Sequence, residues 1–303
     1  MSRVVFVLLP GVHLLDLAGP AQVFSTAADL GQPYELSYVA ERERIPSAQG
    51  VTLTAHTRWP ETGPDDLVVV PGWRTSTPHV GPEPGPEELA RLRAHHAAGG
   101  TVASVCAGAL ALGLAGLLDG RRCTTHHELQ DELAARYPRA TVVRDVLFTT
   151  DDRVVTSAGI ASGIDLALHL LALRHGPALA AQVARNMVVY ARRNGHEPQA
   201  SVMLRHRSHL DDTVHRVQDL IDARFTEPLS LAYLAAGAGV SERTLTRLFN
   251  RATSGLTPLR YQQTLRLERA QHLISHGSTV EAAAREVGFD DARMLRRLRA
   301  RAL

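Results

Sequence analysis

Cys106 lies in the run TVASVCAGALALGLAGLL that begins at Thr101. Small or β-branched residues lead into the cysteine and a Gly/Ala/Leu series at helical spacing leads out of it. The thiol is therefore expected where a strand turns sharply into a helix. A helix N-terminus lowers a thiol's pKa through its dipole and its unpaired amides, and the same amides can hold an oxyanion beside the sulfur. The candidate donors are the N–H groups of Ala107 and of Gly72, the latter in VVVPGW, where a strand ends in a turn. Proton transfer needs a partner group; Asp16 in PGVHLLDLAGP and His126 in TTHHE are the candidates. Trp73, directly after Gly72, offers an aromatic wall for a cation. Three chemistries stay open for this set: nucleophilic attack by Cys106, binding of a small metabolite without turnover, and oxidation of the thiol. Against them stand plain packing of Cys106, helix capping by Asp16 and a core role for His126.

A second group of residues has another chemistry. In LAYLAAGAGVSERTLTRLF, Ser241 has the character of an N-cap, and Leu245, Leu248 and Phe249 form one stripe. That leaves Arg243, Thr246, Arg247 and Arg251 on the opposite face. Arginine grips guanine O6 and N7 with two hydrogen bonds, and threonine meets a thymine methyl or donates to a base edge, so this face suits a major groove. VEAAAREVGFDDARMLRRL repeats the grammar of short helix, Gly-containing turn and Arg-bearing helix. An arginine face on one helix is commonly solvated surface; two such units in tandem favour DNA.

The elements that must position these residues fall into two regions. Val4 to Leu9, Leu36 to Val39, Leu67 to Val70, Thr101 to Val105 and Val154 to Thr156 read as strands. Between and after them lie helical patterns at Glu87 to His96, Leu129 to Tyr137, Ser162 to Arg174 and Ala178 to Arg192. This alternation predicts an α/β fold, a doubly wound and mostly parallel sheet, over residues 1–192. Residues 193–212 lack a sustained period and read as a linker. Residues 213–303 read as an all-α domain with helices at Val214 to Arg224, Ser230 to Ala236, Glu242 to Arg251, Pro258 to Ser275, Thr279 to Val287 and Asp291 to Ala302.

The motifs carry two resemblances. LAYLAAGAGVSERTLTRLF, TPLRYQQTLRLERAQHLI and VEAAAREVGF together resemble the AraC/XylS family of transcription regulators, over about the last 90 residues. The resemblance implies paired helix-turn-helix units joined by a helix. It places base-facing residues at Arg243, Thr246 and Arg247 in the first unit and at Arg293, Arg296 and Arg297 in the second. The second unit departs from the pattern: Arg299 stands where the family has a buried apolar residue, and Leu303 precedes the closing Gly-x-x-Pro segment. The second helix-turn-helix is accordingly expected to be incomplete.

LLPGVHLLDLAGPAQVF, VVVPGW, CAGALALGLAGLLDGRRCTTH and TSAGIASGIDLALHLL resemble the ThiJ/PfpI superfamily of the glutamine-amidotransferase-like fold, over about residues 3–192. The resemblance is to the branch of isocyanide hydratases and GlxA-type regulators. It implies for the hydratases a nucleophile at Cys106 and a proton-handling carboxylate at Asp16. The fusion of both domains is the architecture of GlxA-type regulators. It implies a DNA-binding regulator that senses a small-molecule effector through its first domain, acts as a homodimer and needs no cofactor.

Composition agrees with that assignment and excludes others. The 303 residues suffice for two cores, and no apolar run has the roughly 18 residues of a membrane span. Pro10, Gly11 and Asp16 interrupt the N-terminal apolar run, which suits a strand better than a signal peptide. Two cysteines fit a reducing cytoplasm. From Thr213 onward 14 arginines face 9 acidic residues, whereas the preceding part holds 19 against 22. A basic tail on a slightly acidic body points to a polyanionic partner, which the AraC/XylS resemblance implies is double-stranded DNA. His206, His209 and His215 with Asp211 and Asp212 lack the spacing of a metal site, and no phosphate-binding glycine motif is present.

Overall fold

The computed structural model describes residues 2–74, 82–189, 193–275 and 277–302. The chain divides into two compact units, Met1–Gln199 and Ala200–Leu303.

In chain order the first unit runs β1 (Ser2–Val7), α1 (Leu14–Asp29), β2 (Tyr34–Val39), β3 (Arg44–Pro46), β4 (Thr52–Thr54), β5 (Leu67–Val70), α2 (Pro86–Ala97), β6 (Thr101–Val105) and α3 (Gly108–Leu114). It continues through β7 (Arg122–Cys123), a 3-10 turn at His127–Leu129, α4 (Gln130–Arg136), β8 (Thr141–Val142), β9 (Phe148–Asp151), β10 (Val154–Ser157), α5 (Ser162–His175) and α6 (Pro177–Asn186). The main sheet has six strands in the order β2-β1-β5-β6-β10-β9. All neighbours pair in parallel except β9 and β10, with registers such as Val5 opposite Val68 and Val102 opposite Val154. The strands are apolar on both faces because both are covered. Val4 and Phe6 of β1 join the core beneath α1, α5 and α6, whereas Val5 and Val7 join the core beneath α2, α3 and α4. The mostly parallel α/β fold expected from the sequence is the fold observed.

Local expectations change. The short strands β3, β4, β7 and β8 went unread, and so did the edge strand β9, because Phe-Thr-Thr-Asp offers no apolar alternation; β9 is placed by its hairpin to β10, in which Asp152 takes φ 54°. The helix expected from Leu129 to Tyr137 is a 3-10 turn followed by α4. The helix expected from Ala178 to Arg192 ends at Asn186, and Val188 lies beyond it at φ 55°; residues 190–192 lie outside the described residues.

Residues 193–199, expected in the linker, hydrogen-bond to the first unit. Arg193 binds Asp165 through its backbone N–H (2.9 Å), Nε (3.0 Å) and Nη2 (2.6 Å). Asp165 is buried, and the pairing offsets the burial that pushes its carboxyl above the usual range. Gln199 donates its Nε2 to the carbonyls of Thr125 (2.9 Å) and Val146 (3.1 Å), and its backbone N–H to Asp145 Oδ1 (3.0 Å).

The second unit contains α7 (Val202–Arg205), α8 (Asp212–Arg224), α9 (Leu231–Gly237), α10 (Glu242–Ala252), α11 (Pro258–Ser275), α12 (Val280–Glu286) and α13 (Ala292–Ala302). Side chains start four of these helices, α8, α9, α10 and α12. Asp211, Ser230, Ser241 and Thr279 accept backbone N–H groups from Val214, Tyr233, Thr244 and Ala282. Two cores form. Val217, Ile221, Leu234, Leu245, Phe249 and Tyr261 belong to one, and Ala283, Val287, Phe289, Leu295 and Leu298 to the other.

Candidate functional site

In the first unit the carboxyl ends of β5, β6 and β10 converge, the place where open α/β sheets bind ligands. Cys106 follows β6 and takes φ 55°, a left-handed conformation that costs a non-glycine residue about 1–3 kcal/mol. Its N–H donates to the Ser157 carbonyl (3.0 Å), and its own carbonyl accepts the Thr125 hydroxyl (2.8 Å). The corner therefore holds the thiol rigidly between α3 and the loop after β10.

Glycines allow the close approach. A Cβ on Gly72 would lie 2.5 Å from Asp16 Oδ2, 2.7 Å from Cys106 Cβ and 3.0 Å from the Ala107 nitrogen. On Gly159 (φ 93°) it would lie 2.1 Å from Cys106 Cβ. Asp16, Cys106, Gly72 and Ala107, named from the sequence, thus meet at one point.

Asp16 is fully buried in the first turn of α1. It does not cap that helix: Oδ1 accepts the N–H of Ile160 (2.6 Å) from the loop after β10. Oδ2 is buried without a hydrogen bond of ordinary geometry among the described residues, and it faces the site. Burial raises the Asp16 carboxyl above its usual range, against the Ile160 amide, the charge of His13, the Cys106 thiol and the Gly72 amide, which lower it. Ile160 itself takes φ 51°, rare for a β-branched residue, so two strained residues flank the carboxylate.

The electrostatics correct one expectation. Cys106 is 7% exposed, and burial pushes its thiol well above its ordinary pKa, with the Asp16 charge adding to the effect. The Ala107 amide lowers it and is outweighed. Desolvation and a neighbouring carboxylate defeat the helix dipole, so the resting cysteine is a neutral thiol. His126 is half-buried, 3.7 Å from Glu128 and packed on His127 at 4.2 Å. Burial and then His127 hold it below the usual histidine range. It makes no hydrogen bond to Cys106 among the described residues, so Asp16 is the group placed for proton transfer. Trp73 is turned into the α2/α3 core rather than standing as a wall, and its Nε1 is buried without a partner among the described residues.

In the second unit α10 buries Leu245 and Phe249 and exposes Arg243 and Arg247. Arg243, Thr246, Arg247 and Asn250 line one open concavity. Arg243 and Arg247 form no ion pair among the described residues, while Thr246 Oγ1 donates to the Glu242 carbonyl (2.9 Å). Arg251 lies at the border of this face, 3.9 Å from Asp211. On α13, Arg293, Arg296 and Arg297 are exposed over buried Leu295 and Leu298. Arg296 is bound to Glu281 of α12, and Arg297 donates to the Met294 sulfur (3.2 Å). α12 and α13 share a core that Arg299 borders half-buried. His209 and His215 stack at 4.3 Å, with His215 Nε2 2.7 Å from the His209 carbonyl.

A DJ-1/PfpI family model matches residues 2–173. The chain belongs to the DJ-1/PfpI family. A helix-turn-helix domain model matches residues 234–303. The HTH-type transcriptional regulator GbdR of Pseudomonas aeruginosa is 33% identical over 193 residues, covering 63% of this chain and 52% of its own length. The chain thus spans about half the length of that relative. The HTH-type transcriptional regulator CdhR of the same organism is 30% identical over 277 residues, covering 89% of this chain and 79% of CdhR. An isonitrile hydratase of Pseudomonas putida is 35% identical over 170 residues, covering 54% of this chain and 68% of the hydratase. A solved AraC family transcriptional regulator from Pseudomonas putida superposes with a TM-score of 0.54 at 27% identity, over 62% of this chain and 100% of that one.

Sequence reasoning missed four residues around these sites. Gly159 and Ile160 of the DJ-1/PfpI unit reach Cys106 and Asp16 from a loop more than fifty positions away, and no spacing signals that. Gln199 braces Thr125, and through it the Cys106 carbonyl, from the end of the unit. Asn250 was legible: it lies seven residues after Arg243, hence on the same face of α10.

Proposed function

We propose that this protein is a sequence-specific DNA-binding transcription regulator of the cytoplasm whose DJ-1/PfpI unit binds a small metabolite without turning it over. The observation that carries the regulator reading is the α10 face. A side-chain-capped helix buries Leu245 and Phe249 and leaves Arg243, Thr246, Arg247 and Asn250 open on one side. Arginine and asparagine there match the bidentate patterns of guanine and adenine in a major groove. Arg251 and the α13 arginines Arg293, Arg296 and Arg297 extend the basic surface and hold phosphates or flanking bases. The HTH-type relatives support the reading. Selection from a random duplex pool, followed by a salt titration of the winner, tests it. A defined motif preferred about a thousandfold over scrambled DNA is expected; salt-sensitive binding without an enriched motif would sink it.

The sensing reading rests on the neutral thiol and the Asp16 carboxyl beside it. Asp16 Oδ2 is a buried acceptor whose neighbours are the Cys106 thiol and the Gly72 amide, so an effector bearing N–H or O–H groups that reaches the corner competes with them for it. Gly72 and Ala107 present backbone amides to the same ligand, Cys106 forms the floor, and His126 stands at the rim with Trp73 packed behind the Gly72 turn. Occupancy then shifts the DNA-binding equilibrium by whatever the ligand's preference between states provides.

A second copy of the chain is the proposed partner. Leu8, Leu14, Leu17, Ala18, Leu36 and Leu53 line an open apolar groove along α1, β2 and β4, of the kind that marks an interface. Ala18→Arg is expected to convert a dimer into a monomer by light scattering; a wild type that is monomeric at tens of micromolar removes the proposal.

The hydratase reading has one specific observation behind it, the Asp16 carboxylate beside a strained cysteine. In that case Asp16 takes the thiol proton as sulfur attacks an isocyanide carbon. Turnover lost in Cys106→Ser supports it, and absence of isocyanide turnover in the wild type ends it.

A further inference from the structure

The two helix-turn-helix pairs have separate cores, and one polar side chain, that of Arg266, ties them together. Arg266 lies near the middle of α11, directly after Leu265, which packs in the first core, and before Ala270, which packs in the second. Its Nε donates to the Phe225 carbonyl (2.6 Å) and its Nη2 to the Glu227 carbonyl (2.8 Å), both in the segment that leaves α8. Its Nη1 donates to the Gly288 carbonyl (2.7 Å), in the turn between α12 and α13. The guanidinium carbon lies 5.6 Å from the centre of the Phe289 ring. One turn earlier, Gln262 Nε2 holds the Phe225 (2.9 Å) and Glu227 (2.7 Å) carbonyls a second time.

The other side of the seam is equally tight. Gly288 takes φ 82°, and a Cβ there would lie 1.8 Å from the Thr226 carbonyl oxygen. The turn of the second pair therefore rests on the chain leaving α8 of the first, and Phe225 packs against both cores. Without this seam the α12/α13 pair would be held by its packing on α11 alone and could roll about that helix. A guanidinium is planar and fixes its N–H directions rigidly; three carbonyls from two modules around one fork fix their mutual angle.

We infer that Arg266 is the positioning residue that sets the spacing between the recognition helices α10 and α13, and with it the separation of the two DNA half-sites the protein accepts. This rests on the DNA-binding reading. Half-site spacing is a property of how rigidly two reading heads are held, and Arg266 acts on it without touching a base.

The test is duplex selection from a pool with two randomised half-sites at varied separation, using the full chain, Arg266→Met, Arg266→Lys and Gly288→Ala. The wild type is expected to select one separation. Arg266→Met and Gly288→Ala are expected to enrich the same half-site sequences at several separations. They should lose about ten- to a hundredfold affinity for the wild-type site, the part of the bivalent gain that rigid geometry supplies. Binding to a single half-site through α10 should be unchanged in both, which reports that the first pair is folded, and wild-type helix content by circular dichroism should report that α12 and α13 are; a loss of helix content sets that variant aside and leaves Arg266→Lys to decide. Where Arg266→Met loses single-site binding, Arg266→Lys decides, since it keeps the stem and charge and loses the fork. Variants that keep the single wild-type separation would overturn the inference and leave the DNA-binding reading standing. A wild type that enriches no motif overturns both.

Discussion

In the second unit Asp211, Ser230, Ser241 and Thr279 each accept a backbone N–H at the start of a helix, whereas no N-cap residue of α1 to α6 in the DJ-1/PfpI unit, nor that of the one-turn α7, caps its helix through its side chain. The difference follows from what fixes each helix. In the second unit the helices have no sheet to lean on, so local hydrogen bonds define where α8, α9, α10 and α12 start. In the first, parallel strands deliver the chain to the helix, and the uncapped amides at the corner remain open toward the site. Where the fold carries the helix, its N-terminus is free for chemistry; where the helix must carry itself, the same amides are used in stabilising it.

Substitutions at the close approaches should break this comparison most strongly. Gly159→Ala places a Cβ against Cys106 in a left-handed backbone position; it should destabilise the first unit by about 3 kcal/mol or more, lowering its calorimetric Tm by about 6–12 °C. A Tm within 2 °C of wild type, on the order of the smallest such shift, would show that the corner yields and is not rigid. Next in size, Arg243→Ala or Asn250→Ala should cost about 1–3 kcal/mol at one base position and relax the selected motif there. Equal loss across all sequences would make both residues phosphate contacts instead.

Asp16→Asn should raise stability near neutral pH by about 1–2 kcal/mol, because a buried carboxylate that must ionise there costs free energy. The sign follows from the raised folded pKa: the protonated acid's contribution is complete below the unfolded pKa and is lost as pH rises through the folded one. The gain of the variant over wild type should therefore shrink on acidification; a gain independent of pH from acid to neutral would contradict the buried charge. The smallest effect is expected at the caps. Ser241→Ala should cost about 1 kcal/mol, measured as a fall in urea midpoint. Replacing Ala161, the uncapped residue before α5, by serine should leave stability within about 0.5 kcal/mol of wild type.

The same comparison explains what could be read in advance. From α8 onward the helices of the second unit were legible to within a residue or two, because Ser241, Leu245 and Phe249 act on neighbours three and four positions away; the one-turn α7, in the stretch expected as linker, was not. The strands β1, β2, β5, β6 and β10 were legible from their continuous apolar runs. The two- and three-residue strands β3, β4, β7 and β8 were too short to show a period, and β9 depends on a turn at Asp152 rather than on its own composition. At the candidate site, Cys106 and Ala107 could be placed together because a strand-to-helix corner has a local signature, and Gly72 because a turn ends β5; that Asp16 of α1 lies beside them is a property of the folded chain. The ionisation of Cys106 was misread because the dipole of α3 can be inferred from sequence, while desolvation and the distance to Asp16 belong to the folded chain. Ile160 and Gln199 act across long separations and leave no local trace.

The hold of residues 193–199 on the first unit orders events during synthesis. The family model ends at residue 173, yet Asp165 lacks its counter-charge until Arg193 arrives, and Thr125 lacks its Gln199 brace until the last residue of the unit is made. A nascent chain released earlier carries a buried, uncompensated carboxylate, a defect worth several kcal/mol. The Cys106 corner is therefore completed only once residue 199 has cleared the ribosomal exit tunnel, by which time part of the second unit has already been synthesised, and a fragment cut at the family boundary leaves it unfinished.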